Sequence, residues 1–314
     1  MSNIWIVGAG PMAIEYAKIL QDLGKSFITI GRSESGSSAY KKATGKDVIL
    51  GGIEMFLKTK PSIPDHVIIA VSIENLADSC ISLLDFGVKN ILLEKPGVGY
   101  ASEIEMLAQK TEDSQANVVL AYNRRFYASV LKALEIIKQD GGVASFHFEF
   151  TEWSHQIRNL KKHKTELENW FLGNSTHVID TAFFLSGKPA DICCYYGGGI
   201  DWHPKSSVFA GAGVSDIGAL FSYKANWEAP GRWNIDIMTG KHRLIFKPME
   251  KLQIQNLGSV ATSFVEGIDY SLDEKYKPGL FLQTKSFLEN DYTNFCNIKE
   301  QAANMVVYKK MSGY

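Results

Sequence analysis

The stretch that decides the fold is Ile4-Trp5-Ile6-Val7-Gly8-Ala9-Gly10-Pro11-Met12-Ala13. Its first four residues are apolar, as in a strand buried on both faces, and the glycine-rich turn leads into a helical pattern. In such a strand–turn–helix unit, Gly8 permits the tight turn, Gly10 lets the backbone approach a pyrophosphate, and Ala13 keeps the helix close to the strand. The helix N-terminus would then face the phosphates. The residues expected to bind a dinucleotide here are Gly8, Ala9, Gly10, Pro11 and Met12.

The first 122 residues alternate short apolar runs with helical patterns. Runs of this kind fit strands of a parallel sheet, and strand–helix–strand repetition implies right-handed crossovers. One helix is expected to begin at the capping box Ser102-Glu103-Ile104-Glu105. Residues 1–122 are therefore predicted to form an α/β Rossmann domain with a doubly wound parallel sheet. Its candidate strands are Ile4–Val7, 26–30, 48–50, 66–71, Asn90–Leu93 and 118–122.

The pattern changes after Tyr122. Alternating polar and apolar residues over 146–150 suit a sheet with one buried face, and helices are expected at 127–139, 176–185 and 298–311. Residues 123–314 are therefore predicted to form an α+β domain with an open antiparallel sheet, which would bind the substrate. Its other candidate strands are 219–223, Asn234–Met238, 243–246 and 252–255.

Composition excludes several classes of protein. The chain has 314 residues, 45% hydrophobic and 21% charged, with a formal net charge of −1 and no basic block, so we expect no nucleic-acid partner. Its apolar runs are too short to cross a bilayer, and its start does not resemble a secretory signal. The four cysteines form no CxxC pair and are expected to be reduced, which favours a cytoplasmic setting. The histidines lack ligand spacing, so no metal site is predicted.

The end of the second predicted strand selects the cofactor. An NAD enzyme usually carries an acid there, whereas this chain has Gly31-Arg32-Ser33. Arg32 and Ser33 suit a 2′-phosphate through charge-assisted hydrogen bonds. In the alternative, Arg32 is solvated and Glu34 accepts the ribose hydroxyls. The sequence favours NADP(H) and leaves NAD(H) as the alternative.

Three motifs follow the N-terminal GxGxxA in order along nearly the whole chain: Glu94-Lys95-Pro96, Asn123-Arg124-Arg125-Phe126 and Ser175-Thr176-His177-Val178-Ile179-Asp180. With these motifs the chain resembles the glucose–fructose oxidoreductase / inositol dehydrogenase family. That resemblance implies a Rossmann domain followed by an open antiparallel sheet, which often serves as a dimer interface, so we expect a homodimer or homotetramer. It also implies an NAD(P)-dependent dehydrogenase or reductase that acts on a sugar, a sugar derivative or a cyclic polyol.

Two positions depart from the family pattern. The family often has an aspartate four residues before the histidine, where this chain has Gly173 with Asn174 beside it. Asn174 could replace that carboxylate in substrate binding, or it could be the N-cap of the following helix. The family also often has Thr-Pro and a histidine after the fourth strand, where this chain has Ser72-Ile73-Glu74, and Ser72 is expected at the cofactor.

The resemblance assigns catalysis to Lys95 and His177. The ammonium of Lys95, at the carboxyl end of a parallel strand, would bind the substrate oxygen and stabilise alkoxide charge, and Glu94 and Lys95 are also expected at the cofactor. His177 would act as general base in oxidation and general acid in reduction. Arg124 and Arg125 could clamp an anionic substrate group, or one of them could pair with an acid.

Two other functions fit the same residues. A non-catalytic NAD(P)-binding sensor would use the dinucleotide fold without chemistry, although it would need neither Lys95 nor His177. Reduction of an imine or lactone-like substrate would use the same scaffold. The aromatic segment 227–233 contains Arg232 between probable strands, and it suits either a sugar ring or simple packing.

Overall fold

The structure is a computed structural model and describes residues 3–160, 162 and 164–314. Its strands are β1 (Ile4–Val7), β2 (Phe27–Ile30), β3 (His66–Ile69), β4 (Asn90–Leu93), β5 (Asn117–Leu120), β6 (Ser145–Glu149), β7 (Pro189–Gly197), β8 (Val208–Ser215), β9 (Leu220–Asn226), β10 (Asn234–Met238), β11 (His242–Phe246), β12 (Gln253–Asn256), β13 (Thr262–Phe264) and β14 (Cys296–Asn297). Its α-helices are α1 (Pro11–Asp22), α2 (Glu34–Thr44), α3 (Gly52–Lys58), α4 (Leu76–Phe86), α5 (Ile104–Asp113), α6 (Ala128–Gln139), α7 (Ser154–Ile157), α8 (Lys164–Glu168), α9 (Thr176–Ser186), α10 (Ser271–Lys275), α11 (Leu280–Leu288) and α12 (Ile298–Ser312). Short 3-10 turns cover Ile73–Asn75, Ala101–Glu103 and Asn123–Phe126, and a π-helical turn covers Phe171–Ser175.

The chain divides into two compact units. The first comprises Met1–Tyr122 and Lys275–Met305, and the second comprises Asn123–Glu274 and Val306–Tyr314. The sequence placed a boundary after residue 122 and assigned all of 123–314 to a second domain. In the structure, Lys275–Met305 belongs to the first unit, because β14 in this segment pairs with β5 of the first sheet.

The first unit is built on a Rossmann-type sheet. Among the described residues its strands lie in the order β14-β5-β4-β3-β1-β2, and β1 to β5 pair in parallel, while β14 runs antiparallel to β5. Every residue of β1 and β3 is buried, as expected for strands covered on both faces. The predicted α/β doubly wound fold is confirmed. Because β1 lies between β2 and β3, the connections diverge there, and the carboxyl ends of β1 and β3 border the crevice typical of ligand sites.

Two local predictions for this unit were wrong. The predicted strand 48–50 contributes only an isolated bridge between Ile49 and Ile30. The predicted capping box at 102–105 is displaced, because the turn is closed by Glu103, whose Oε2 accepts the backbone N–H of Tyr100 at 2.9 Å. Both errors are local shifts that leave the strand order unchanged.

The second unit is built on a mostly antiparallel sheet. In the part of the chain that is described, its order is β13-β12-β11-β10-β6-β9-β8-β7, and β6–β9 is the parallel pair. Phe146 and Phe148 point from β6 to one face, where Phe183 of α9 packs edge-on against both rings. The prediction of an α+β unit with an open antiparallel sheet is confirmed. Large apolar side chains that stay exposed on this unit include Tyr195 (72%), Leu220 (66%) and Phe264 (59%).

None of the helices in the described residues is long and apolar enough to cross a membrane. The described residues also contain no group of three His, Cys, Asp or Glu side chains that could hold a metal ion.

Candidate functional site

The turn after β1 is shaped by one glycine. Gly8 has a φ of +120°, and a Cβ there would lie 2.2 Å from the carbonyl oxygen of Ala70, so any side chain would collide with the backbone that follows β3. The Gly8 N–H donates to the carbonyl of Ile30 at 2.8 Å, which ties the turn to the end of β2. The carboxyl ends of three parallel strands are thereby held together at this point.

Helix α1 begins directly after this turn. A Cβ at Gly10 would meet no atom within 4 Å, so the backbone there is open to an incoming group. In the described residues, the first turn of α1 carries no acidic side chain and no side-chain cap, and Ala13 is fully buried. The N-terminal amides and the positive end of the helix dipole are therefore available to an anion.

A cavity of about 430 Å³ opens beside this turn in the first unit. Six residues that the sequence predicted to bind the cofactor line it: Gly8, Ala9, Gly10, Arg32, Ser33 and Ser72. Two carboxylates, Glu54 and Asp78, also lie in its wall and were missed. The other four predicted cofactor residues, Pro11, Met12, Glu94 and Lys95, are not part of this lining. The glycine cradle, the helix N-terminus and the cavity fit the diphosphate and adenosine part of a dinucleotide.

The cavity wall around Arg32 is polar. The Arg32 Nη1 donates to Oδ1 of Asn75 at 3.1 Å, and the side chain is exposed. Ser33 Oγ accepts the N–H of Gly36 at 3.1 Å and is the N-cap of α2. Ser72 Oγ donates to Glu74 at 2.6 Å. Arg32 and the two serines thus bring hydroxyl and guanidinium donors to the cavity.

The predicted catalytic lysine follows β4. Lys95 is half-buried and precedes Pro96 through a cis peptide bond. Its neighbour Glu94 accepts a hydrogen bond from the hydroxyl of Tyr16 at 2.9 Å, and burial raises the pKa values of both the Glu94 carboxyl and the Tyr16 phenol. The ammonium groups of Lys95 and Lys277 act in the opposite direction on the pKa of Glu94. Lys95 therefore lies at the carboxyl end of a parallel strand, beside the half-buried carboxyl group of Glu94, which accepts the hydrogen bond of Tyr16.

In the second unit, the predicted histidine lies near the start of α9. His177 is 8% exposed, and its ring centroid is 6.3 Å from that of Trp233. Asp180, one turn later, is 2% exposed and accepts two hydrogen bonds from Arg125, so it does not face solvent. The helix itself occurs where the sequence predicted it.

A buried carboxylate next to this helix was missed by the sequence reasoning. Glu152 is 1% exposed, and its Oε1 accepts hydrogen bonds from Asn174 Nδ2 at 2.9 Å and from Ser175 Oγ at 3.0 Å. Burial raises the pKa of Glu152 to about 7, against the lowering effect of Ser175 and Arg232. The expectation that Asn174 caps the helix was wrong, because its side chain binds Glu152 and it lies within the π-helical turn. The available signal was a single acid between Phe150 and Trp153, directly after an alternating strand.

The two consecutive arginines have different environments. Arg125 forms a buried, bidentate ion pair with Asp180, with donor–acceptor distances of 2.8 and 2.6 Å, which realises the alternative that one arginine pairs with an acid. Arg124 instead stacks on aromatic rings, with its guanidinium carbon 4.7 Å from the centroid of Trp233 and 5.8 Å from that of Tyr127. Sequence reasoning could not separate these two roles.

Arg232 completes this cluster of the second unit. Its guanidinium carbon lies 4.6 Å from the ring centroids of both Trp153 and Trp233, and its Nη1 is 3.5 Å from Oε2 of Glu152. Trp233 of the aromatic segment 227–233 therefore contacts two cations, Arg124 and Arg232. We call Arg124, Glu152, Arg232 and Trp233 the arginine–tryptophan cluster.

Solved structures of several dehydrogenases and oxidoreductases are similar to this chain over nearly its whole length. A levoglucosan dehydrogenase in complex with NADH and L-sorbose superposes with a TM-score of 0.79, covering 99% of this chain and 95% of that one at 15% identity. The UDP-N-acetylglucosamine 3-dehydrogenase GnnA from Acidithiobacillus ferrooxidans gives 0.76, with 99% and 97% covered at 11% identity. An oxidoreductase from Agrobacterium radiobacter, in complex with NAD+, L-tartaric acid and magnesium, gives 0.77, with 98% and 94% covered at 12% identity. This chain has the fold of these dehydrogenases.

Sequence comparison gives a weaker relation. Oxidoreductase P35 of Formosa agariphila is 24% identical over 232 residues, which are 68% of each chain. No protein-family model matches the chain. The predicted resemblance to the glucose–fructose oxidoreductase / inositol dehydrogenase family is thus confirmed in the fold. Within this dehydrogenase fold, the family's usual aspartate position is Gly173, while Glu152 brings a carboxylate to the next residue, Asn174.

Proposed function

We propose that this protein is a nicotinamide-dependent oxidoreductase that transfers a hydride between the cofactor and a sugar, a sugar derivative or a cyclic polyol. The observation that carries the proposal is the turn at Gly8, where the colliding Cβ position, the open backbone at Gly10 and the adjoining cavity suit a dinucleotide. The dehydrogenase fold and the NADH and NAD+ named with its structural neighbours support the same reading. The cofactor supplies the hydride acceptor or donor, and the protein supplies orientation and proton handling.

For the cofactor, we propose NADP(H) as preferred and NAD(H) as the alternative. Arg32 and Ser33 line the cavity at the end of β2, where a 2′-phosphate would meet a guanidinium and a hydroxyl. Glu54 and Asp78 in the same wall suit ribose hydroxyls instead. The ratio of the affinities for NADP(H) and NAD(H) will show whether the arginine and serine or the two carboxylates determine the cofactor preference.

For the chemistry, we propose Lys95 and His177 as the catalytic residues. Lys95 follows β4 at the carboxyl edge of the sheet, where its ammonium can bind the substrate oxygen and stabilise negative charge on it. His177, near the start of α9, can accept the hydroxyl proton in oxidation and return it in reduction. Arg124, Arg125 and Asn174 were expected to bind the substrate. Because Arg125 is engaged by Asp180, we keep Arg124 for this role.

The test compares wild type with Lys95→Ala and with Lys89→Ala as a matched surface control. A panel of sugars and polyols is followed by the absorbance of the reduced nicotinamide, and cofactor affinity is measured by titration. We expect Lys95→Ala to lose most turnover while its cofactor affinity stays nearly unchanged, and Lys89→Ala to behave as wild type. Tight cofactor binding without turnover of any sugar or carbonyl compound would favour the sensor function. Wild-type kinetics in Lys95→Ala would remove this residue from the mechanism.

We also propose that the chain assembles as a homodimer or homotetramer. Exposed apolar residues on the second unit, among them Tyr195 and Leu220, offer a surface for self-association. Mass measurement in solution tests this, and a monomer at micromolar concentration would contradict it.

A further inference from the structure

Two neighbouring arginines of the second unit are satisfied to different degrees. Arg125 has a built-in acceptor, because Asp180 receives two hydrogen bonds from its guanidinium. The Nε of Arg124 is buried and has no hydrogen-bond partner among the described residues. A buried donor without an acceptor destabilises the folded state, because it has lost its hydrogen bonds to water. The protein thus keeps one guanidinium in a state that an external acceptor would stabilise.

The aromatic contacts of Arg124 lie on the faces of its guanidinium. Its contacts with Trp233 and Tyr127 are cation–π contacts, which use the face of the guanidinium and not the N–H groups in its plane. Burial lowers the pKa of Arg124 and the charge of Arg232 acts in the same direction, whereas Tyr127, Glu250 and Glu152 act to raise it. Aromatic stacking therefore orients the cation without neutralising it.

A second cation shares the same ring. Arg232 lies 4.6 Å from the centroid of Trp233, and 46% of its side chain is exposed. Its ion pair with Glu152 is loose, at 3.5 Å, and Glu152 also accepts hydrogen bonds from Asn174 and Ser175. Two guanidinium groups thus converge on one tryptophan, and the buried carboxylate of Glu152 links Arg232 to Ser175, directly before the helix that carries His177.

We propose that Arg124 and Arg232 form an anion subsite and that the substrate carries a carboxylate or phosphate group, which Arg124 binds through its free edge. This inference rests on the proposed function and narrows its substrate class from sugars in general to anionic sugars. A planar guanidinium matches both oxyanions in a bidentate manner. A charge-assisted hydrogen bond contributes about 1.5–3 kcal/mol, so the anionic group should tighten binding by a factor of about 10 to 140.

The experiment measures binding by calorimetry to the full-length, cofactor-loaded protein. The ligands are glucose, glucuronate, gluconate and glucose 6-phosphate, so that a neutral sugar is compared with two carboxylates and one phosphate of the same skeleton. We expect at least one anionic ligand to bind about tenfold or more tightly than glucose. The better of the carboxylate and phosphate arms identifies the group.

Three variants locate the effect. Arg124→Met should abolish the preference for the anionic ligand, and Arg124→Lys, which keeps the charge but lacks the fork, should retain only part of it. Arg158→Gln is the control, because Arg158 is an exposed arginine of the same unit that pairs with Asp201. If Arg124→Met does not fold, Arg124→Lys and Arg232→Gln carry the test.

The outcomes separate the two proposals. Equal or undetectable binding of anionic and neutral ligands by wild type overturns the anion subsite, as does a preference of undiminished size in Arg124→Met or in Arg124→Lys. Turnover of neutral sugars without a preference for anions would leave the oxidoreductase proposal intact. An anion preference that depends on Arg124, in a protein that oxidises or reduces nothing, would support the subsite and remove the proposed chemistry.

Discussion

Replacing Glu152 by glutamine should change how stability depends on pH. Glu152 is 1% exposed, and burial raises its pKa from the ordinary 4.5 to about 7. Glutamine keeps an oxygen that can accept the hydrogen bonds of Asn174 and Ser175, but it carries no charge at any pH. The substitution therefore removes the ionisation while leaving most of the local hydrogen bonding in place.

The direction in which the stability contribution of Glu152 changes with pH follows from which state, folded or unfolded, binds the proton more tightly. As pH rises above 4.5, the unfolded chain releases this proton while the folded protein keeps it until about pH 7. The folded state binds more protons in this interval, so the contribution of Glu152 to stability falls as pH rises and is constant above it. The pKa difference corresponds to about 3 kcal/mol in full, of which about 2.5 kcal/mol is lost from about pH 5 to about pH 8.

Urea unfolding followed by tryptophan fluorescence measures this, because Trp233 lies in the same cluster. Other titrating groups affect both proteins alike, so the quantity of interest is the difference between wild type and Glu152→Gln at the two pH values. We expect wild type to lose about 2.5 kcal/mol relative to the variant as pH rises. Glu135→Gln, an exposed acid on α6, should follow wild type. Parallel curves for wild type and Glu152→Gln would refute the argument that this carboxyl is protonated by burial.

Three further substitutions test other parts of the structure. Gly8→Ala should destabilise the protein by more than about 2 kcal/mol in chemical unfolding and abolish cofactor binding, since its Cβ would collide with a backbone carbonyl. Gly10 has a φ of −85°, and a Cβ there would meet no atom within 4 Å, so Gly10→Ala should fold as wild type yet bind the cofactor more weakly. Equal losses of stability in Gly8→Ala and Gly10→Ala would contradict the roles assigned to these two glycines. Arg32→Ala should weaken NADP(H) more than NAD(H) in titrations, and equal effects would exclude the phosphate contact. Asp180→Ala should lower unfolding stability by about 3–5 kcal/mol because it leaves Arg125 buried without its partner, and a loss below about 1 kcal/mol would show the pair to be dispensable.

Local sequence patterns predicted most of the first sheet but missed three strands of the second, which are β7, β8 and β13. Strands β7 and β8 contain small residues and glycines without polar–apolar alternation, so periodicity gave no signal. In the structure, a Cβ at Gly211 would lie 2.4 Å from the ring of Tyr223, and one at Gly213 would lie 2.1 Å from the carbonyl of Asp191. These glycines are required by close approach between strands, which no local pattern records.

The candidate site also contains residues whose roles the sequence predicted and residues whose roles it did not. The glycine turn could be predicted because its chemistry is contiguous, from strand to helix, in residues 4–13. The roles of Arg124 and Arg125 could not, because adjacent residues of the same type differ only in what distant residues place beside them. Asp180 pairs with one, and Trp233 stacks on the other.

The sequence by itself determined most strands of the first sheet, the dinucleotide turn and the motifs that indicate an oxidoreductase, because each of these depends on neighbours along the chain. The tertiary structure decided that Lys275–Met305 returns to the first unit, that Glu152 is buried beside Asn174, and that Arg124 keeps an unsatisfied donor. The physical reason is that burial and hydrogen-bond partnership depend on contacts between residues that are far apart in sequence, and these exist only once the chain has folded.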